Sequence, residues 1–169
     1  LDQGAVGFIG SSRLDGSGLL SHAKGVRFPH AIRVDYTNNK IYWTQGSTGV
    51  SLLRRANLDG SSSEEVFFQA GVTIRSLALD IANSRIFLAS ETGAILKYDL
   101  NTQTTSTILN TGVGSAVAID YDSTNSKIYW ADRNGGKKLS VKPHGSGAAT
   151  GHSGLSSPCV SWRRYRKAQ

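Results

Sequence analysis

The sequence predicts an all-β fold of repeated four-stranded antiparallel units, and three observations carry that prediction. The first is a phrase that returns. Asn39-Lys40-Ile41-Tyr42-Trp43-Thr44 reappears as Ser126-Lys127-Ile128-Tyr129-Trp130-Ala131, and Ser84-Arg85-Ile86-Phe87-Leu88-Ala89 stands between them. The second is spacing. The segments Ile32-Arg33-Val34-Asp35, Leu77-Ala78-Leu79-Asp80 and Val117-Ala118-Ile119-Asp120 precede the three phrases, and their aspartates lie 45 and 40 residues apart. A period of this length marks repeat architecture. The third is the pattern inside each repeat, which alternates with period two and is rich in β-branched and aromatic residues, as a half-buried pleated surface favours. Four antiparallel strands every 40-odd residues form one blade of a β-propeller.

The elements follow in order. Residues 1–23 read as the end of a preceding blade, because Phe8-Ile9-Gly10-Ser11-Ser12-Arg13-Leu14-Asp15-Gly16-Ser17 matches the second half of the next repeat, with Asp15 44 residues before Asp59. Residues 24–68 are the clearest blade. Its first strand ends at Asp35, a turn of Tyr36-Thr37-Asn38-Asn39 leads into the Tyr42-Trp43 strand, and Asp59-Gly60 turns the third strand into Glu64-Glu65-Val66-Phe67-Phe68. Asp, Asn and Ser make such turns because their side chains bond to the nearby backbone. Residues 69–109 repeat the plan with Asp80, Phe87 and the turn after Asp99. Residues 110–147 repeat it again with Asp120, Tyr129 and Trp130, and with a ragged third strand, Leu139-Ser140-Val141-Lys142-Pro143-His144-Gly145-Ser146. Residues 148–169 are expected to be a flexible Gly/Ser linker and a basic tail. No helical pattern of convincing length occurs.

Composition narrows the function. Hydrophobic residues make up 38% and charged residues 18% of the 169-residue chain, a balance suited to one globular domain. The net charge of +7 misleads until it is placed. Arg163, Arg164, Arg166 and Lys167 supply four of those charges, and the remaining 15 basic residues face 12 acidic ones. So near-balanced a body carries no broad nucleic-acid footprint. The single cysteine, Cys159, allows no internal disulfide framework, and no Asn-x-Ser/Thr acceptor is present. No apolar run is long enough to span a membrane as a helix. The chain contains no methionine, and about three and a half blades are visible; both suggest a fragment of a larger protein.

Candidate chemistry is sparse. Asp35, Asp80 and Asp120 each open a turn after a strand, so they read as turn caps and not as a carboxylate ring for a metal. Tyr42-Trp43 and Tyr129-Trp130 occupy repeating positions, which points to packing between blades and not to ligand stacking. His22, His30, His144 and His152 sit in loops without ligand spacing on any regular element. Cys159 beside His152 makes a weak nucleophile–base pair in a tail of linker composition. Gly-x-Ser-x-Gly, the P-loop and Gly-x-Gly-x-x-Gly are absent. Trp162-Arg163-Arg164-Tyr165-Arg166-Lys167 interleaves aromatics and cations as single-strand nucleic-acid binders do, but its place at the terminus carries no further support. No catalytic residue, metal site or cofactor is expected.

The combination Ile-x-Val-Asp, Asn-Lys-Ile-Tyr-Trp-Thr and Arg55-Ala56-Asn57-Leu58-Asp59-Gly60-Ser61 resembles the YWTD repeat, also called the LDL-receptor class B repeat. The resemblance covers residues 5–147, and 24–68 match best. It departs where Gln45 and Ser90 replace the motif's final aspartate, kept only at Asp132, and where no EGF-like cysteine module flanks the repeats. Family members build six-bladed propellers that act mostly as non-catalytic binding modules of cell-surface or secreted proteins. The resemblance therefore implies an incomplete propeller of a six-bladed parent, a protein or peptide ligand and an extracellular setting. A partial ring would also leave two apolar blade faces bare, each a surface for self-association, so either the missing blades were cut away or two chains complete each other. The family's binding loops precede the first strand and join the second to the third. In this sequence they include Phe28-Pro29-His30, Val72-Thr73-Ile74-Arg75, Val113-Gly114-Ser115, Gln45-Gly46-Ser47-Thr48, Ser90-Glu91-Thr92 and Asp132-Arg133-Asn134, which nominates His30, Gln45, Arg75, Glu91, Asp132 and Arg133 as ligand contacts. The alternative is a lactonase-like propeller hydrolase with a metal in its axial channel.

Overall fold

The computed structural model describes residues 6–47, 49–110, 115–134, 137–147 and 149–152. Among the described residues fourteen strands form four antiparallel sheets. A two-stranded sheet joins β1 (Val6–Ser11) to β2 (Leu20–Arg27). The next sheet holds β3 (Pro29–Asp35), β4 (Lys40–Gln45), β5 (Val50–Asn57) and β6 (Glu64–Ala70) as a meander. The third holds β7 (Ile74–Asp80), β8 (Arg85–Ser90), β9 (Ala94–Asp99) and β10 (Thr104–Asn110). The fourth holds β11 (Ala116–Asp122), β12 (Lys127–Asp132), β13 (Lys137–Val141) and β14 (Ala149–His152). The first blade boundary lies later than the sequence suggests, since β2 runs on to Arg27 and belongs with β1. The linker expected from 148 gives way at Ala149–His152 to β14, where ladder bonds to β13 hold a segment whose side chains gave no strand signal. The tail beyond, with Cys159 and Trp162–Lys167, lies outside the described residues, as do Thr48, Val113 and Gly114.

The turns form as their side chains dictate. Asp35 Oδ1 accepts from the backbone N–H of Thr37 at 3.0 Å and of Asn38 at 3.1 Å. Asp80 accepts from Asn83 Nδ2 at 2.9 Å, beside a single 3-10 turn at Ile81–Asn83. In the third blade the capping role passes from Asp120 to Asp122, which accepts from Thr124 N at 2.9 Å and Asn125 N at 3.2 Å. The registers Asp35↔Lys40, Asp80↔Arg85 and Asp122↔Lys127 put Asp122, and not Asp120, at the place of Asp35 and Asp80. Asp120 instead lies within β11 opposite Tyr129. The Asp-Gly-Ser turns also recur. Asp15 and Asp59 each accept from the N–H of the serine two residues on at 2.9 Å.

The blades stack through three apolar clusters. Along β4 consecutive side chains face opposite ways, so Trp43 packs on the preceding sheet with Ile9, Val26, Ile41 and Ala56. Tyr42 packs on the following blade with Leu77, Ile86 and Leu88. Phe87 and Trp130 meet in the third cluster with Ala78, Ile119 and Ile128. The recurring aromatics therefore lie between blades, as their periodicity predicts. Tyr129 is half-buried.

Candidate functional site

Each first strand carries a β-bulge near its start, between Pro29 and Ala31, Ile74 and Ser76, and Ala116 and Ala118. The bulged residues are His30, Arg75 and Val117. A bulge re-aims the side chain it carries, and here it groups residues that the alternation of a regular strand would separate. The residue just after each second strand closes the same end. Gly46, Glu91 and Arg133 donate their N–H groups to the carbonyls of Phe28 (3.2 Å), Thr73 (2.8 Å) and Ser115 (2.9 Å).

Three of the six nominated residues meet there. Arg75 Nε donates to Glu91 Oε1 at 2.7 Å, and Arg75 Nη2 forms a second, shorter contact with the same oxygen. Arg75 Nη1 lies 3.2 Å from His30 Nδ1, and His30 Nε2 lies 3.1 Å from the Gly46 carbonyl. A carbonyl only accepts, and a guanidinium only donates. Both contacts are satisfied by the neutral ring with its proton on Nε2. Burial, and then the Arg75 guanidinium, push the His30 pKa below its ordinary value, in agreement with that tautomer. Burial raises the Glu91 pKa, but the bonds from Arg75 outweigh it and hold the carboxyl below its usual range. The chain of bonds ties one blade to the next while Arg75 and Glu91 side chains stay 36% and 34% exposed.

The other nominations divide. Arg133 is exposed and makes no ion pair among the described residues. Its blade carries Val117 at the bulge, where the previous blade has Arg75. Gln45 and Asp132 are not on the surface, at 8% and 3% exposure. Gln45 Oε1 accepts from the Trp43 indole N–H at 2.8 Å, so it serves the core. Asp132 Oδ1 accepts from Asn134 N at 3.1 Å. Strand alternation was the signal that loop counting passed over: β4 and β12 run through the motif's last position and turn it inward. It also missed Gly46, whose carbonyl anchors His30. Among the described residues no three His, Cys, Asp or Glu side chains gather as metal ligands would, and no helix is long and apolar enough to cross a membrane.

Comparison with known proteins places the fold. No family model matches the sequence, and no curated protein matches it. Solved structures do. A chain from the crystal structure of a nidogen/laminin complex, a YWTD β-propeller, superposes with a TM-score of 0.79 at 17% identity, over 89% of this chain and 58% of that one. TolB from Acinetobacter baumannii superposes with a TM-score of 0.66 at 12% identity, over 85% of this chain and 37% of that one. A structural genomics protein of unknown function from Bacteroides thetaiotaomicron gives 0.62 at 17% identity, over 81% and 36%. The chain thus spans a little over half of the nidogen/laminin-complex chain and about a third of the others. The fold is an open, partial β-propeller, as the repeats predict.

Proposed function

We propose that the chain is a non-catalytic recognition module that binds a protein or peptide ligand at the bulged end of its blades. The observation that carries this reading is the His30–Arg75–Glu91 network. It sets a charged donor and a charged acceptor, each about a third exposed, on a rigid inter-blade frame. Such a frame fixes side chains before a ligand arrives, which lowers the ordering cost of binding. Arg133 adds an exposed cation, without an ion pair among the described residues, at the equivalent position of the third blade. The occurrence of a similar propeller in a nidogen/laminin complex supports a protein ligand over a small substrate. Among the described residues no three His, Cys, Asp or Glu side chains gather to support the hydrolase alternative.

A phage-displayed peptide library selected on the chain tests the reading. Binders should lose at least about tenfold in affinity, about 1.4 kcal/mol, to the combined His30→Ala, Arg75→Ala and Glu91→Ala variant, with Arg133→Ala adding to the loss. Binders indifferent to all four changes would place recognition elsewhere.

A further inference from the structure

One side chain of the first complete blade reaches past the second and bonds to the third. Ile32, Leu77 and Ile119 hold the same place on β3, β7 and β11, opposite Trp43, Leu88 and Trp130. In an antiparallel ladder, alternate residues turn both main-chain groups away from the partner strand. Ile119 is such a residue. Its N–H donates to Ser76 Oγ on the second blade at 3.3 Å, and its carbonyl accepts from Arg33 Nη2 on the first blade at 3.3 Å. Arg33 Nη1 donates to the Ile32 carbonyl at 3.0 Å. β3, β7 and β11 are the first strands of their blades, nearest the propeller axis, and β7 packs against both of the others. The guanidinium therefore lies along the axial edge, with one nitrogen on the first blade and one on the third. Opposite Tyr42, Phe87 and Tyr129 the three blades carry Arg33, Ala78 and Asp120, so the first blade alone has a side chain of that reach.

We propose that Arg33 is a positioning residue for the bulged end, a strap that fixes the angle between the first and third blades and so the spacing of the groups they present. The inference rests on the reading of that end as the binding site. Stacked repeats otherwise touch only their nearest neighbours, so the bend of three blades is set by two independent interfaces. A bond from the first blade to the third couples those interfaces. A guanidinium suits the task, because it stays charged and holds its N–H groups in a rigid planar fork that can serve two carbonyls at once. Charge makes each of those bonds stronger than a neutral one. The strap also runs along the strands that carry the bulges. His30 lies three residues before Arg33 on β3, Arg75 one before Ser76 on β7, and Val117 two before Ile119 on β11. A change of angle at the strap passes directly to the gap between the His30–Arg75–Glu91 network and Arg133. The network ties the first blade to the second, and the strap ties that pair to the third.

The test measures distances in the full chain without a ligand. Cys159→Ser removes the native thiol, and spin labels go on cysteines placed at exposed bulged-end residues. Ser47→Cys with Asn134→Cys spans the first and third blades, and Ser47→Cys with Thr92→Cys spans the first and second. Arg33→Met keeps the apolar stem and loses the donors. In that variant the 47–134 distance distribution should shift and broaden while the 47–92 distribution keeps its wild-type form. The Ile119 amide should exchange about tenfold faster. An unchanged 47–134 distribution would overturn the proposal. Equal broadening of both pairs would overturn it too, since the first blade would then have loosened as a whole. Peptides selected on the wild type should bind Arg33→Met about threefold to tenfold more weakly, and wild-type affinity beside a broadened 47–134 distribution would remove the positioning role. Failure of the bulged-end reading has its own signature: binders indifferent to His30→Ala, Arg75→Ala and Glu91→Ala, with both distance distributions still responding to Arg33→Met as expected.

Discussion

β3 and β7 are the same strand in successive blades, yet their preceding faces live in different surroundings. Leu77 on β7 is sealed beneath the inner strands of the blade before it, while Ile32 on β3 looks onto a sheet that, among the described residues, holds two strands. The residues match in motif, in register and in apolar character. What differs is the neighbour. Burial in a stacked repeat belongs to the interface and not to the repeat, so a motif position predicts a side chain's direction but not its energetic weight.

Truncating the two residues breaks or sharpens this contrast most strongly. Leu77→Ala removes fully buried methyl groups and leaves a cavity, and should lower unfolding stability by about 2–5 kcal/mol. Ile32→Ala gives up surface that water already reaches in part, and should cost about 1 kcal/mol or less. Urea unfolding followed by tryptophan fluorescence measures both. Equal losses would mean that the face of β3 is covered in solution.

The same distinction explains what could be read before the structure was seen. Strand alternation and Asp/Asn turn chemistry are local, so the blades, their order and the inward aromatics were legible. The bulges at His30 and Arg75 arise from pairing across strands, and nothing in Pro29-His30-Ala31 or Ile74-Arg75-Ser76 announces them. Their grouping with Glu91 was reached by counting loops, which placed Gln45 and Asp132 on the same surface although strand alternation turns both inward. The shift of the turn cap from Asp120 to Asp122 was hidden because Val-Ala-Ile-Asp imitates the motif two residues early. β14 was hidden because the short Ala149-Thr150-Gly151-His152 segment has no apolar alternation and is held by backbone bonds to β13.

A second pair of substitutions tests the neighbour's role at a turn. Gly16 and Gly60 occupy equivalent Asp-Gly-Ser turns with φ of +82° and +87°, a region that costs a non-glycine residue about 1–2 kcal/mol. A methyl group at Gly16 meets nothing within 4 Å, whereas one at Gly60 would fall on the backbone carbonyl of His22 in the sheet before it. Gly16→Ala should therefore show the conformational cost alone. Gly60→Ala should lose about 1–3 kcal/mol more, as overpacking does. Thermal melts of the two variants give the difference directly, and identical melting temperatures would show that the turn does not seat against β2.

The smallest effect is expected at the polar end of the covered interface. His30 is held neutral by burial and by the Arg75 guanidinium, so its pKa is lower in the folded chain than in the unfolded one. For a base with a depressed pKa the sign is fixed. Above the ordinary value of 6.5 both states are neutral there, and the interface keeps its full stability. As pH falls below that value the unfolded chain takes up the proton first, and stability declines until the folded ring is protonated too. Protonation puts an N–H on Nδ1, facing the donor Arg75 Nη1, so the bond between the blades is lost. Partial exposure screens the effect, which should stay below about 1 kcal/mol. The readout is the difference in urea stability between the wild type and His30→Gln, followed from pH 7.5 to 5. That difference should move against the wild type as the pH drops. A flat difference would mean that His30 faces solvent and that the covered interface is closed by apolar packing alone.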